Sequence, residues 1–136
     1  MENELIHSIS ENNTEKIKLI FDKSNKNGNT LNVNEKSNDG TYPMLLTTKV
    51  NNLEIIKLLI DYSYKNKIIL EINEKDNDGK YPILWGIENK NVEVIKVIMD
   101  YANKNDIKLE LNAKKKTLDI IQFCWLYTMI ILRLLN

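Results

Sequence analysis

One cysteine, Cys124, and one histidine, His7, are all that this chain of 136 residues offers to sulfur or imidazole chemistry. A lone thiol excludes an internal disulfide, and with it a small secreted domain held by covalent staples, so an intracellular and cytoplasmic setting is expected. Without a second histidine or cysteine, no histidine cluster, paired metal ligands or histidine-dependent triad can assemble. His7 reads as a partly exposed helix residue. Cys124 has no basic neighbour nearer than Arg133 and reads as an inert apolar side chain.

Glycine is scarce at four residues, and no phosphate-cradling loop is present. No glycine-, serine- or proline-rich linker divides the chain, which suits a single domain. Lys plus Arg and Asp plus Glu balance at 19 each, so there is no basic excess to attract nucleic acid. The opening Met1-Glu2-Asn3-Glu4 lacks the basic start and apolar core of a secretory leader. These absences remove the usual carriers of catalysis. The expectation is a chain that is not an enzyme, with no cofactor, no metal, no small-molecule ligand and no nucleic acid.

What the sequence does hold is a repeat. NEKSNDGTYP begins at Asn34 and NEKDNDGKYP at Asn73, 39 residues later, and the same step back sets Ser8 to Asp22 under the later copies without a gap. Asn13/Asn52/Asn91, Glu15/Glu54/Glu93, Ile17/Ile56/Ile95, Lys18/Lys57/Lys96, Asp22/Asp61/Asp100 and Asn34/Asn73/Asn112 are identical columns. Such regularity decides the architecture first. The repeat region runs over 1–112 in units of about 1–33, 34–72 and 73–112.

The first unit enters at Leu5-Ile6 and reads as an N-terminal cap, with Thr14 as the expected N-cap of a helix carrying Ile17, Ile20 and Phe21. A loop is expected between Asn25 and Thr30, around Gly28. In the later units Asp39-Gly40 and Asp78-Gly79 form tight turns, aspartate bonding back to nearby amides, which leaves no catalytic carboxylate pair to assign. Pro43 and Pro82 then open short helices ending near Lys49 and Glu88. Second helices follow from Leu53 to about Tyr64 and from Val92 to about Asn103. Ile55, Ile56, Leu59 and Tyr62 share a core-facing side, matched by Val94, Ile95, Ile98 and Tyr101. Glu54, Lys57 and Asp61 mark a solvated back. Ile68, Leu70 and Ile72 alternate like a short extended segment, as do Ile107, Leu109 and Leu111. The many asparagines are read as A/T-rich coding bias.

With these residues in place the units resemble ankyrin repeats. Gly79-Lys80-Tyr81-Pro82-Ile83-Leu84-Trp85-Gly86 falls on the family's G-x-T-P-L-H-L-A, and the run from Asn91 to Met99 falls on H-x-E-I-V-x-x-L-L. Tyr42 and Tyr81 replace the family's threonine, Leu45 and Leu84 its histidine, and Asn12, Asn51 or Lys90 its corner glycine. Lys90 should be strained there or shift the turn. The unit exceeds the usual length of about 33 residues, and the extra residues are placed at the end of the second helix and in the alternating segment. The resemblance implies an all-α ankyrin-type solenoid of about three helix-turn-helix repeats with turn- or hairpin-like connections. It further implies protein binding through turn tips and the concave face of the first helices. Asn38, Asp39, Thr41, Lys49, Val50, Asn77, Asp78, Lys80, Glu88 and Asn89 fall on that surface by the resemblance. Trp85 stands either as an aromatic anchor for the partner or as core. One alternative is a structural or truncated segment of a larger repeat protein with no partner of its own.

A fourth turn is due at Asn112, but Lys114-Lys115-Lys116 and the apolar TLDIIQFCWLYTMIILRLLN follow instead. With A/T-rich codons, the same bases read two positions along restore a glycine at slot 118 and a proline at slot 121, the places that follow from Gly79 and Pro82. Residues 113–136 therefore read as an aberrant tail, either a frameshifted fourth repeat or a true capping helix. A tail-anchored membrane adaptor is a further alternative, disfavoured because Phe123 to Leu132 is about half of the roughly 20 apolar residues a span needs. Sequencing the transcript through the three lysine codons is expected to show a slipped adenine run, and an unbroken frame with no repeat downstream would remove the frameshift reading.

Overall fold

A proline can begin a helix but cannot continue one, and the chain uses both of its prolines in that way. The computed structural model describes residues 3–109, so the readings made for Leu111, Asn112 and the tail lie outside the described residues. The helices are α1 (Glu4–Ser10), α2 (Thr14–Asn27), α3 (Pro43–Lys49), α4 (Leu53–Lys65), α5 (Pro82–Glu88) and α6 (Val92–Lys104). Pro43 and Pro82 stand in the first turns of α3 and α5, behind the extended Tyr42 and Tyr81. α1, α3 and α5 pack in one layer, α2, α4 and α6 in a second, and each short helix also packs on the longer helix of its own unit. The result is an all-α repeat solenoid.

The corner between the helices of a unit takes two residues with different tasks. Asn12, Asn51 and Lys90 adopt left-handed conformations, at φ of 55°, 61° and 53°. Asn13, Asn52 and Asn91 then cap the second helices, each side-chain oxygen accepting an amide proton from Lys16, Ile55 or Val94. The cap of α2 is thus Asn13 and not Thr14, which is its first helical residue. Asparagine outranks threonine at this position, and the column is asparagine throughout. Lys90 resolves the choice between strain and a shifted turn in favour of strain, since its corner keeps the geometry of the others. At the far end α2 runs on to Asn27, past the expected start of the loop, because the left-handed Gly28 (φ 68°) is what stops it.

Ile55, Ile56, Leu59 and Tyr62 are buried, as are Val94, Ile95, Ile98 and Tyr101. Each such side chain contributes about 1.5–3 kcal/mol relative to full exposure. Glu54, Lys57 and Asp61 are exposed, and Lys18 reaches Glu15 at 3.5 Å in its own helix and Glu54 at 3.3 Å in the next unit. In the connection, Leu70 and Ile72 are buried while Ile69 is 59% exposed, so side chains alternate although no strand forms among the described residues.

Side chains replace the missing strand ladder. Asn34 donates from Nδ2 to the Ile69 carbonyl at 2.8 Å, and its Oδ1 accepts from the Glu71 amide at 2.9 Å. Asn73 donates in the same way to the Lys108 carbonyl at 2.9 Å. Tyr62 reaches back one unit so that its hydroxyl accepts from the Leu31 amide at 2.9 Å, and Tyr101 repeats this with Leu70 at 2.8 Å. Asn52 and Asn91 donate to the preceding corner residues Asn12 and Asn51 at 2.6 and 2.7 Å. Whatever composition contributes to their number, each of these asparagines joins one unit to the next.

Tyr42, where the family has threonine, is fully buried and donates to the Glu74 carbonyl of the following unit at 2.8 Å. Burial, with the carboxylates of Glu71 and Asp76 adding to it, pushes this phenol far above its ordinary pKa and keeps it a neutral donor.

Lys90→Gly is expected to raise unfolding free energy by about 0.5–1 kcal/mol, the left-handed penalty less the added freedom of the unfolded chain. Urea unfolding of the two chains measures this, and unchanged or lower stability would mean that the corner is not strained.

Candidate functional site

The turn before each short helix is closed by the backbone and by one carboxylate. Ser37 and Asp76 each donate an amide to the carbonyl four residues on, Thr41 at 2.7 Å and Lys80 at 2.8 Å. The left-handed Gly40 and Gly79, at φ of 83° and 78°, allow the reversal. In the second unit Asp39 supplies the carboxylate, its Oδ1 accepting from the Thr41 amide at 3.0 Å and from the Ser37 hydroxyl. In the third unit the task moves to Asp76, whose Oδ1 accepts from the amides of Asp78 and Lys80, both at 2.9 Å. The bonding-back role expected of Asp78 thus belongs to Asp76. The signal was legible in the column pairing Ser37 with Asp76, since a carboxylate two residues before Asp78 reaches the same amides.

Adjacent turns lie side by side. A Cβ added at Gly40 would sit 3.2 Å from Asn77 Oδ1, so the tip carrying Asn38 and Asp39 abuts the tip carrying Asn77 and Asp78. Asn38, Asp39, Asn77 and Asp78 are exposed, and Thr41 is half-buried beneath its turn.

Around Trp85 the candidate residues come together. Lys80 Nζ lies 4.3 Å from the centroid of a Trp85 ring and 2.9 Å from Glu88, which holds it in place. Lys49, from α3 of the preceding unit, stands 5.3 Å from the ring. The indole Nε1–H points to Asp76 Oδ2 at 3.4 Å. Trp85 is half-buried and packs against the core, as does Leu46, its counterpart in the preceding unit. Asn89 donates to the Thr48 carbonyl at 3.0 Å and ties α5 to α3, while Val50 is half-buried at the end of α3. The surface thus consists of a row of polar tips and one aromatic side chain framed by charges from two units.

A groove of about 240 Å³ lies on the other layer, between α4 and α6, lined by Lys57, Ile60, Asp61, Tyr64, Val97, Asp100, Tyr101 and Lys104. Its charged residues alternate in sign and its apolar ones belong to the stacking columns, so it reads as a seam between units. Among the described residues no group of three or more His, Cys, Asp or Glu could hold a metal ion, and no helix is long and apolar enough to cross a membrane.

A family model described as ankyrin repeats, in three copies, matches residues 5–110. No curated protein matches the chain.

The Asp39 turn carries a pH signature. The Ser37 hydroxyl first, and then the Thr41 amide, hold the Asp39 carboxyl down to about 2 from an ordinary 3.8. A depressed acid contributes stability above its unfolded pKa, and this contribution is lost as pH falls from about 4 through about 2. Carboxyl NMR is expected to give a midpoint near 2 for Asp39, moving toward 3.8 in Ser37→Ala, whereas a native midpoint near 3.8 would mean that the turn does not hold this carboxylate.

Proposed function

Since the chain belongs to the ankyrin repeat family, whose repeats are generally protein–protein interaction modules, we propose that it is a scaffold that binds a protein partner through its turn tips and first-helix layer. The contact residues in this reading are Asn38, Asp39, Thr41, Lys49, Val50, Asn77, Asp78, Lys80, Trp85, Glu88 and Asn89. The family is typically non-enzymatic, and the scaffold acts without chemistry of its own.

One observation carries the reading. Trp85 is half-buried with Lys80, Glu88 and Lys49 around it, an aromatic body held at the surface by groups from two units. Aromatic anchors of this kind dominate protein interfaces because they bury a large area at small entropic cost. Supporting it, the tips offer the exposed side chains of Asn38, Asp39, Asn77 and Asp78.

Once a partner is isolated with the native chain, Trp85→Ala combined with Lys49→Ala is expected to weaken its binding by about 2 kcal/mol or more, roughly 30-fold. Lys57→Ala combined with Asp61→Ala, on the second-helix back, should leave binding within about twofold. Calorimetric titration of the variants, after circular dichroism confirms their helicity, reads both. A partner lost with the back variant and kept with the Trp85 variant would overturn the assignment.

A further inference from the structure

The chain leaves each second helix through a left-handed residue: Gly28 at φ 68°, Lys67 at 56° and Asp106 at 53°. An asparagine precedes it each time, as Asn27, Asn66 or Asn105. Asparagine is labile in such a place, because the backbone nitrogen of the next residue can attack the side-chain Cγ and close a succinimide ring. The later units guard against this in three ways. Lys67 and Asp106 carry a Cβ that crowds the ring, and their amides are engaged, donating to the carbonyls of Tyr64 at 3.3 Å and Asn103 at 3.4 Å. The side chains of Asn66 and Asn105 are tied as well, each Nδ2 donating to the carbonyl of Tyr62 or Tyr101, at 3.0 and 2.8 Å.

Asn27 has none of these guards. Gly28 brings no Cβ, its amide makes no bond back into α2, and among the described residues no hydrogen bond holds the Asn27 side chain. Both residues are exposed, and a Cβ built at Gly28 would meet nothing within 4 Å. That freedom matters because ring closure requires the peptide plane between Asn27 and Gly28 to flip out of its helical setting. The flip turns ψ of Asn27 and φ of Gly28 together and leaves the chain on either side in place, and glycine accepts either sign of φ. The pairs Asp39-Gly40 and Asp78-Gly79 resemble this one in sequence but are held. Their glycine amides donate to the carbonyls of Ser37 and Asp76, both at 3.0 Å.

We propose that Asn27-Gly28 is a site of spontaneous deamidation whose product loosens the joint between the first two units. The Gly28 nitrogen bonds to Asn27 Cγ and gives its proton to solvent, the side-chain nitrogen leaves as ammonia, and water then opens the ring at either carbonyl. One opening leaves aspartate in place of Asn27. The other leaves isoaspartate, in which the main chain runs through an added carbon. That carbon enters just ahead of the residues that fasten the joint. The Ser24 hydroxyl donates to the Asn29 carbonyl and lies 2.6 Å from the Tyr62 hydroxyl, which accepts from the Leu31 amide at 2.9 Å. Lengthening the main chain at Asn27 moves Asn29 and Leu31 out of register with Ser24 and Tyr62. The change needs no enzyme and no partner at the turn tips.

Peptide mapping by mass spectrometry, after the full native chain is incubated at mildly alkaline pH, tests the site. Asn27 is expected to gain about 1 Da at least about tenfold faster than Asn66 or Asn105, and within about tenfold of its own rate in urea. Equal rates at the three asparagines would overturn the proposal. So would a native rate more than about tenfold below that in urea, since the helix end would then shield the pair. Hydrogen exchange read by NMR tests the consequence. In the isoaspartate form the Leu31 amide is expected to exchange at least about tenfold faster while the α6 amides are unchanged. Asn27→Gln, whose longer side chain closes a ring far more slowly, should keep Leu31 protected through the same incubation. Unchanged Leu31 exchange in the isoaspartate form, or protection lost equally in Asn27→Gln, would overturn the loosening.

Discussion

A backbone amide taken from water must find another partner, and the long connections of this solenoid meet that demand without forming strands. The primary amide of asparagine offers a donor and an acceptor side by side, as a peptide group does. Asn34 uses both, one on the Ile69 carbonyl and the other on the Glu71 amide, so one side chain does the work of a short length of sheet. The hydroxyls of Tyr62 and Tyr101 do the complementary work by taking the amides of Leu31 and Leu70. Each such bond contributes about 1 kcal/mol net, but leaving the same group buried and unpaired would cost about 1–3 kcal/mol. These bonds therefore set the register between units, while the aliphatic faces supply the bulk of the attraction.

Much of this was legible in the sequence because it depends on local rules. The 39-residue step, the proline-led helices and the buried Ile55, Ile56, Leu59 and Tyr62 follow from spacing and backbone sterics alone. What stayed hidden depends on groups far apart in the chain. Nothing local distinguishes an asparagine that bridges two units from one that faces water, so Asn52 and Asn91 looked like composition. Asp76 is less conspicuous than the Asp-Gly pair, although the turn needs only a carboxylate in reach of its amides. Trp85 could not be settled from its column, since its exposure depends on how Lys49 and Lys80 lie across it.

The two helix layers divide the work. Second helices repeat Glu, Ile, Lys and Asp in fixed columns because each must meet a similar neighbour on either side, and the Lys18–Glu54 pair shows that even their charged residues serve adjacent units. First helices and tips meet this constraint less strictly, and there the copies differ: Thr41 against Lys80, Leu46 against Trp85, Val50 against Asn89. Variation collects where stacking does not forbid it.

The reach of the tyrosine bonds, 31 residues from donor to acceptor and no further, has a kinetic consequence. Every tie spans a single joint, so opening one joint leaves the others intact, and the molecule should come apart like a zipper, tooth by tooth.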